Sequence, residues 1–127
     1  MRSEEAVSLL ISWRDDESLI SFIIHNAKFS CSFNGMILEI DKDHLLISAD
    51  DGDPCHGKAK IQLSKCMFQY TDSSYAPQPS VVAELFSDLV VIRQQDGTEF
   101  RLFKYRSGAY EKKLGFKAVI GKAKLKT

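Results

Sequence analysis

The densest group of chemically capable side chains is Asp41, Asp43, His44, Asp50, Asp51, Asp53, Cys55 and His56. Carboxylates at an Asp-x-Asp spacing present hard oxygen ligands to a divalent cation, and a Cys-His pair presents softer ligands to zinc. Asp50, Asp51, Asp53 and His56 are the candidate metal set on these grounds. The calcium-loop pattern needs a bidentate acid at its twelfth position, and this loop has none there. Asp, Gly and Pro also build turns by their own backbone preferences, so two solvated turns are the plainer expectation.

The second constellation is basic. Residues 1–100 hold sixteen acids and eight bases, whereas residues 101–127 hold nine bases and one acid, Glu111. Lys112, Lys113, Lys117, Lys122, Lys124 and Lys126 would attract phosphate, and the interleaved Phe100, Phe103, Tyr105, Tyr110 and Phe116 would stack on bases. Against this, alternating lysines are what a solvated strand face looks like, and lysines on an edge strand discourage aggregation. Phe100 and Phe103 have opposite parity in one strand, and the isoelectric point near 6.8 is unlike that of a dedicated nucleic-acid binder.

Covalent catalysis has little to work with. The chain has Cys31, Cys55 and Cys66 and three histidines, His25, His44 and His56. Cys31 and Cys66 alternate with phenylalanines and read as buried, inert thiols, which leaves Cys55 as the exposed candidate. No Gly-x-Ser-x-Gly, His-Glu-x-x-His, P-loop or Gly-x-Gly-x-x-Gly motif occurs. No catalytic residue is assigned and no cofactor is expected. An odd cysteine count without a CxxC pair points to reduced thiols in a cytoplasmic protein. No apolar run approaches the roughly 20 residues that span a bilayer, so no membrane insertion is expected. The first residues carry two acids and lack the apolar core of a signal peptide.

These side chains must be positioned by short elements of one domain, 1–127. Ser3 as cap, Glu4 and Glu5 at the dipole's positive end, and Val7, Leu10 and Ile11 at helical spacing predict an N-terminal helix. Residues 17–25 fit either a helix or a strand. The Asp15-Asp16-Glu17 run favours a second helix, giving a helical segment over 1–26. From residue 27 the period becomes two. Phe29, Cys31 and Phe33 share one face, and after Asn34-Gly35 the alternation continues on Met36, Leu38 and Ile40 in the other phase. The slip favours a bulge at Gly35 in one long bent strand over a tight hairpin.

Leu45, Ile47 and Ala49 predict a short strand. Residues 58–71 alternate with a slip near Ser64-Lys65 and repeat the bent-strand pattern. Residues 81–86 fit a strand or a helical turn. Asp96-Gly97 predicts a two-residue hairpin turn that sets Val91 against Leu102, Val90 against Phe103 and Arg93 against Phe100. Phe116, Ala118 and Ile120, then Ala123 and Leu125, predict a last strand in the basic segment.

The fold class that follows is α+β, mainly β. One or two N-terminal helices precede a strongly bent antiparallel sheet or small β-barrel of six to seven strands over 27–127. Over residues 33–47 (Phe33-Asn34-Gly35, Leu38-Glu39-Ile40-Asp41, Leu45-Leu46-Ile47) the pattern resembles Sm-like and SH3-like barrels. It lacks the second glycine of the Sm strand, and no family is assigned. The function expected is a non-enzymatic binding or assembly module, with a protein partner or a second copy met through an edge strand. The alternatives are a phosphate- or nucleic-acid-binding domain using the six C-terminal lysines, and a small enzyme or metal site at residues 50–56.

Overall fold

A computed structural model describes residues 1–49, 57–72 and 81–106. Helix α1 (Ser3–Asp15) precedes strands β1 (Leu19–His25), β2 (Ser30–Ile40), β3 (His44–Ala49), β4 (Lys58–Gln62) and β5 (Met67–Asp72). A one-turn helix α2 (Val81–Leu85) then leads into β6 (Phe86–Arg93) and β7 (Glu99–Tyr105). The strands form one antiparallel sheet in the order β4-β3-β2-β1-β7-β6-β5. This is the mainly β, α+β class with its helix at the N-terminus. It is the bent-sheet alternative and not a closed barrel, because among the described residues no ladder joins β4 to β5.

Helix α1 sends Ala6, Leu10 and Trp13 into the core, with Val7 and Ile11 half-buried beside them. Ser3 lies inside the helix, and Arg2 holds the cap position without a side-chain cap bond. The end of α1 corrects the expected second helix. Glu17 adopts φ 54, its N–H donates to Arg14 O at 3.0 Å, and the Ser18 N–H donates to Trp13 O at 2.9 Å. These two bonds close a Schellman cap, a stop signal that usually uses glycine. The acids that looked like the start of a helix terminate one, and the chain leaves the left-handed residue extended. Leu19–His25 is therefore a strand, burying Ile20 and Phe22 at period two in the middle of the sheet.

Strand β2 is one long strand, but its bulge is not at Gly35. The β2–β3 register slips between Ile37 and Glu39, so Leu38 is the extra residue and is 43% exposed. Gly35 sits in regular ladder between Ile20 and Ala49. A Cβ there would lie 2.0 Å from the Ser48 carbonyl oxygen, so glycine permits a close backbone approach. Moving the slip downstream keeps Phe33, Gly35 and Ile37 on the core side; Cys31 shares that face but stands at the start of β2 and is exposed, as is Phe29 just before the strand. Cys66, also expected in the core, is half-buried at its margin.

Residues 58–71 are not one bent strand either. A tight turn breaks the strand at residues 63–66, where the Cys66 N–H donates to Leu63 O at 3.3 Å and Lys65 is left-handed at φ 61. The two strands this turn joins lie at opposite edges of the sheet. In a flat sheet, six interstrand spacings of about 4.8 Å would part those edges by about 29 Å. A β-turn holds its ends within about 7 Å, so the sheet must curl and its strands tilt until the end of β4 comes beside the start of β5. Helix α1 lies in the curl, against both β2 and β5. Every strand contributes to the one core cluster, which includes Ile20, Phe22, Ile47, Ile61, Phe68, Ile92 and Leu102.

The β6–β7 hairpin is present, with a register one residue from the expected one. Val90 faces Leu102, Ile92 faces Phe100, Val91 faces Arg101 and Arg93 faces Glu99. Its loop has three residues, closed by Gln94 N–H to Thr98 O at 2.9 Å, with Gly97 at φ 90 as the left-handed residue. A type I turn followed by a left-handed glycine replaces the two-residue turn. A one-residue slip exchanges the faces of a strand, and only the observed register buries Val90, Ile92, Phe100 and Leu102 together.

Two substitutions test these backbone assignments by chemical denaturation. Gly35→Ala must displace the backbone of β3 and is expected to cost about 3 kcal/mol. Glu17→Gly removes the left-handed penalty at the Schellman position and is expected to stabilise by about 1 kcal/mol.

Candidate functional site

Both residue sets singled out in the sequence lie outside the described residues. Asp50, Asp51, Asp53 and His56 (with Cys55) fall in 50–56, and Lys112, Lys113, Lys117, Lys122, Lys124 and Lys126 fall in 107–127. The expected strand over 116–125 lies outside them as well. The described part of the acidic group is the β2–β3 turn. There the Asp41 carboxylate accepts the N–H groups of Asp43 at 2.7 Å and His44 at 2.8 Å. These backbone bonds hold the Asp41 carboxyl below its ordinary value, and His44 Nδ1 lies 3.1 Å from its second oxygen. Asp41 is thus engaged in the turn itself. Among the described residues no group of three His, Cys, Asp or Glu could hold a metal ion, and no helix is long and apolar enough to cross a membrane.

The edges of the curled sheet differ sharply. On β4, Lys58 and Lys60 alternate with Ala59 and Ile61, and both lysines are exposed. Lysine on an edge strand opposes pairing with another chain. On β5, residues 67–71 are Met-Phe-Gln-Tyr-Thr, with no charge until Asp72. Phe68 turns into the core, whereas Met67 is 72% exposed and Gln69 and Tyr70 are exposed. Among the described residues no strand pairs with the outer side of β5.

Cross-strand pairing builds the surroundings of this edge. Met67 faces Arg93 and Gln69 faces Val91, and these four with Phe68 line a recess of about 190 Å³. Arg93 donates through Nε to Glu99 at 3.0 Å, and Arg101 donates through Nε to the other oxygen at 2.5 Å. The Glu99 side chain is 16% exposed, and the Arg101 and then the Arg93 hydrogen bonds hold its carboxyl below the ordinary 4.5. At the other end of the strand the Tyr70 hydroxyl donates to Asp88, whose second oxygen accepts from Ser87 Oγ at 2.6 Å. Asp72 faces Asp88 across the ladder. The edge therefore has Lys65 and Arg93 about its first residues and Asp72 and Asp88 about its last.

The reverse side of the sheet is braced apart from this edge. Phe86 packs on Phe103 and Tyr105 with ring centroids 5.0 and 4.7 Å apart. The Tyr105 hydroxyl reaches over β1 to Asn34 Oδ1 at 2.7 Å. Sequence reasoning missed the β5 edge because a charge-free run is shared by central β1 and peripheral β5. Only the pairing tells them apart. No protein-family model, no curated protein and no solved structure matches the chain.

Tyr70 offers a titration that reports on the edge. The Asp88 hydrogen bond, then burial, then the Asp88 and Asp72 charges push its hydroxyl from 10.0 up to about 12. Because the folded value is the higher one, the stabilisation is complete below pH 10.0 and is lost as the pH rises through about 12. Absorbance titration is expected to find one tyrosine ionising near pH 12, returning towards 10.0 in Asp88→Asn.

Proposed function

We propose that the chain is a non-enzymatic binding or assembly module that receives a protein partner as an extended strand added to the outer side of β5. The observation carrying this reading is the contrast between the two edges: β4 is guarded by Lys58 and Lys60, and β5 is charge-free over 67–71 with Met67 exposed. Backbone N–H and C=O groups seek partners, and an incoming strand supplies a complete row of them. Main-chain bonds would provide affinity. The recess beside Met67, Gln69, Val91 and Arg93 would select a partner side chain. A cytoplasmic setting belongs to the same proposal, supported by the free Cys31 thiol, which is exposed.

The test is a selection of extended peptides from a random display library on the full chain, followed by amide hydrogen exchange of the complexes. Bound peptides are expected to slow exchange in Met67–Asp72 and to leave Lys58–Gln62 unchanged. Protection confined to other strands, or a library that yields no binder, would overturn the reading.

A further inference from the structure

We propose that the strand added to β5 is β5 of a second copy of this chain, giving a two-fold dimer with a continuous sheet across the interface. The inference rests on the strand-addition reading above and specifies its partner. Three observations on β5 single out the second copy.

The first is the polarity of charge along the edge. Lys65 stands at its start and Asp72 at its end, while on β6 behind them Arg93 is paired with Glu99 and Asp88 faces Lys104. Two copies related by a two-fold axis run antiparallel, so the basic start of each meets the acidic end of the other. A heterologous partner would need the same gradient in reverse; a second copy has it by construction.

The second is register. Centring the two-fold on Gln69 pairs Phe68 with Tyr70, Met67 with Thr71, Gln69 with its counterpart and Cys66 with Asp72. Five residues, Met67–Thr71, then pair strand to strand, Asp72 meets the turn residue Cys66, and no like charges stand opposite each other. Centring it on Tyr70 pairs the two Tyr70 rings but sets Phe68 against Asp72. Centring it on Phe68 leaves Asp72 beyond the ladder. The Gln69 register also keeps each pair on one face, as the pleat requires.

The third is the unlike treatment of the second edge. Lys60 lies at the middle of β4, so a two-fold there would set two lysines against each other. The chain opposes self-pairing at one edge and permits it at the other.

Sedimentation equilibrium on the full chain tests the proposal with charge variants at the axis. The wild-type chain is expected to dimerise, more weakly at high salt as the end charges are screened. Gln69→Lys and Gln69→Glu each place like charges at the two-fold and are expected to raise the dissociation constant about tenfold or more. Gln69 is exposed, so circular dichroism of both variants should match the wild type. Mixing the two variants should restore association as a one-to-one heterodimer. A wild-type chain that stays monomeric at millimolar concentration overturns the second-copy inference, and so do single variants that dimerise like the wild type. If that monomer still binds selected peptides with protection of Met67–Asp72, the strand-addition reading stands and the second copy alone fails.

Discussion

A tight turn at residues 63–66 links strands that lie at opposite edges of a seven-stranded sheet, and most of the architecture follows from that one connection. The sheet must curl, which gives it an inner side that a single helix can fill with Ala6, Leu10 and Trp13. Aromatic packing follows the same geometry, with Phe22 at 5.0 Å from Phe33 and 5.9 Å from Phe100 on the inner side. Curling also brings backbones close in the interior of the sheet, and at Gly35 there is no room for a side-chain carbon beside Ser48.

The same connection keeps the two edges from being equivalent. They share a turn at one end and diverge in chemistry from there, lysine-lined on β4 and apolar-aromatic on β5. Neither set of titratable residues that stood out in the linear sequence belongs to β5, Met67–Asp72. What marks that edge is a lack of charge in a place where charge is the common defence.

Much of the fold was legible in hydrophobic periodicity. Helix α1, strand β3 and the inward Ile61, Leu63 and Phe68 follow directly from it. The errors share a cause: a slip of phase tells that the backbone changes course, not how. At Ser64-Lys65 the slip is a tight turn between two strands, at Leu38 it is a bulge, and Asn34-Gly35, which carries the strongest turn-forming letters, is ordinary ladder. Glu17 in a left-handed cap could not be foreseen from residue type, because that conformation favours glycine. The hairpin register depended on one loop residue, and one residue inverts a strand. The β5 edge was illegible for a further reason: strand order is a property of long-range pairing, to which local pattern is blind.

Strand β1 has one sequence-local neighbour, β2, and one remote neighbour, β7, whose residues come about eighty positions later. During synthesis at about 5–20 residues per second, β1 can ladder with β2 soon after both emerge, but its other side waits several seconds for β7. Leu19–His25 is charge-free apart from its terminal histidine, so the nascent half-sheet presents its stickiest strand as a temporary edge. Folding of this chain is thus exposed to misassembly until the β6–β7 hairpin docks, and chaperone dependence would be set by that delay more than by final stability.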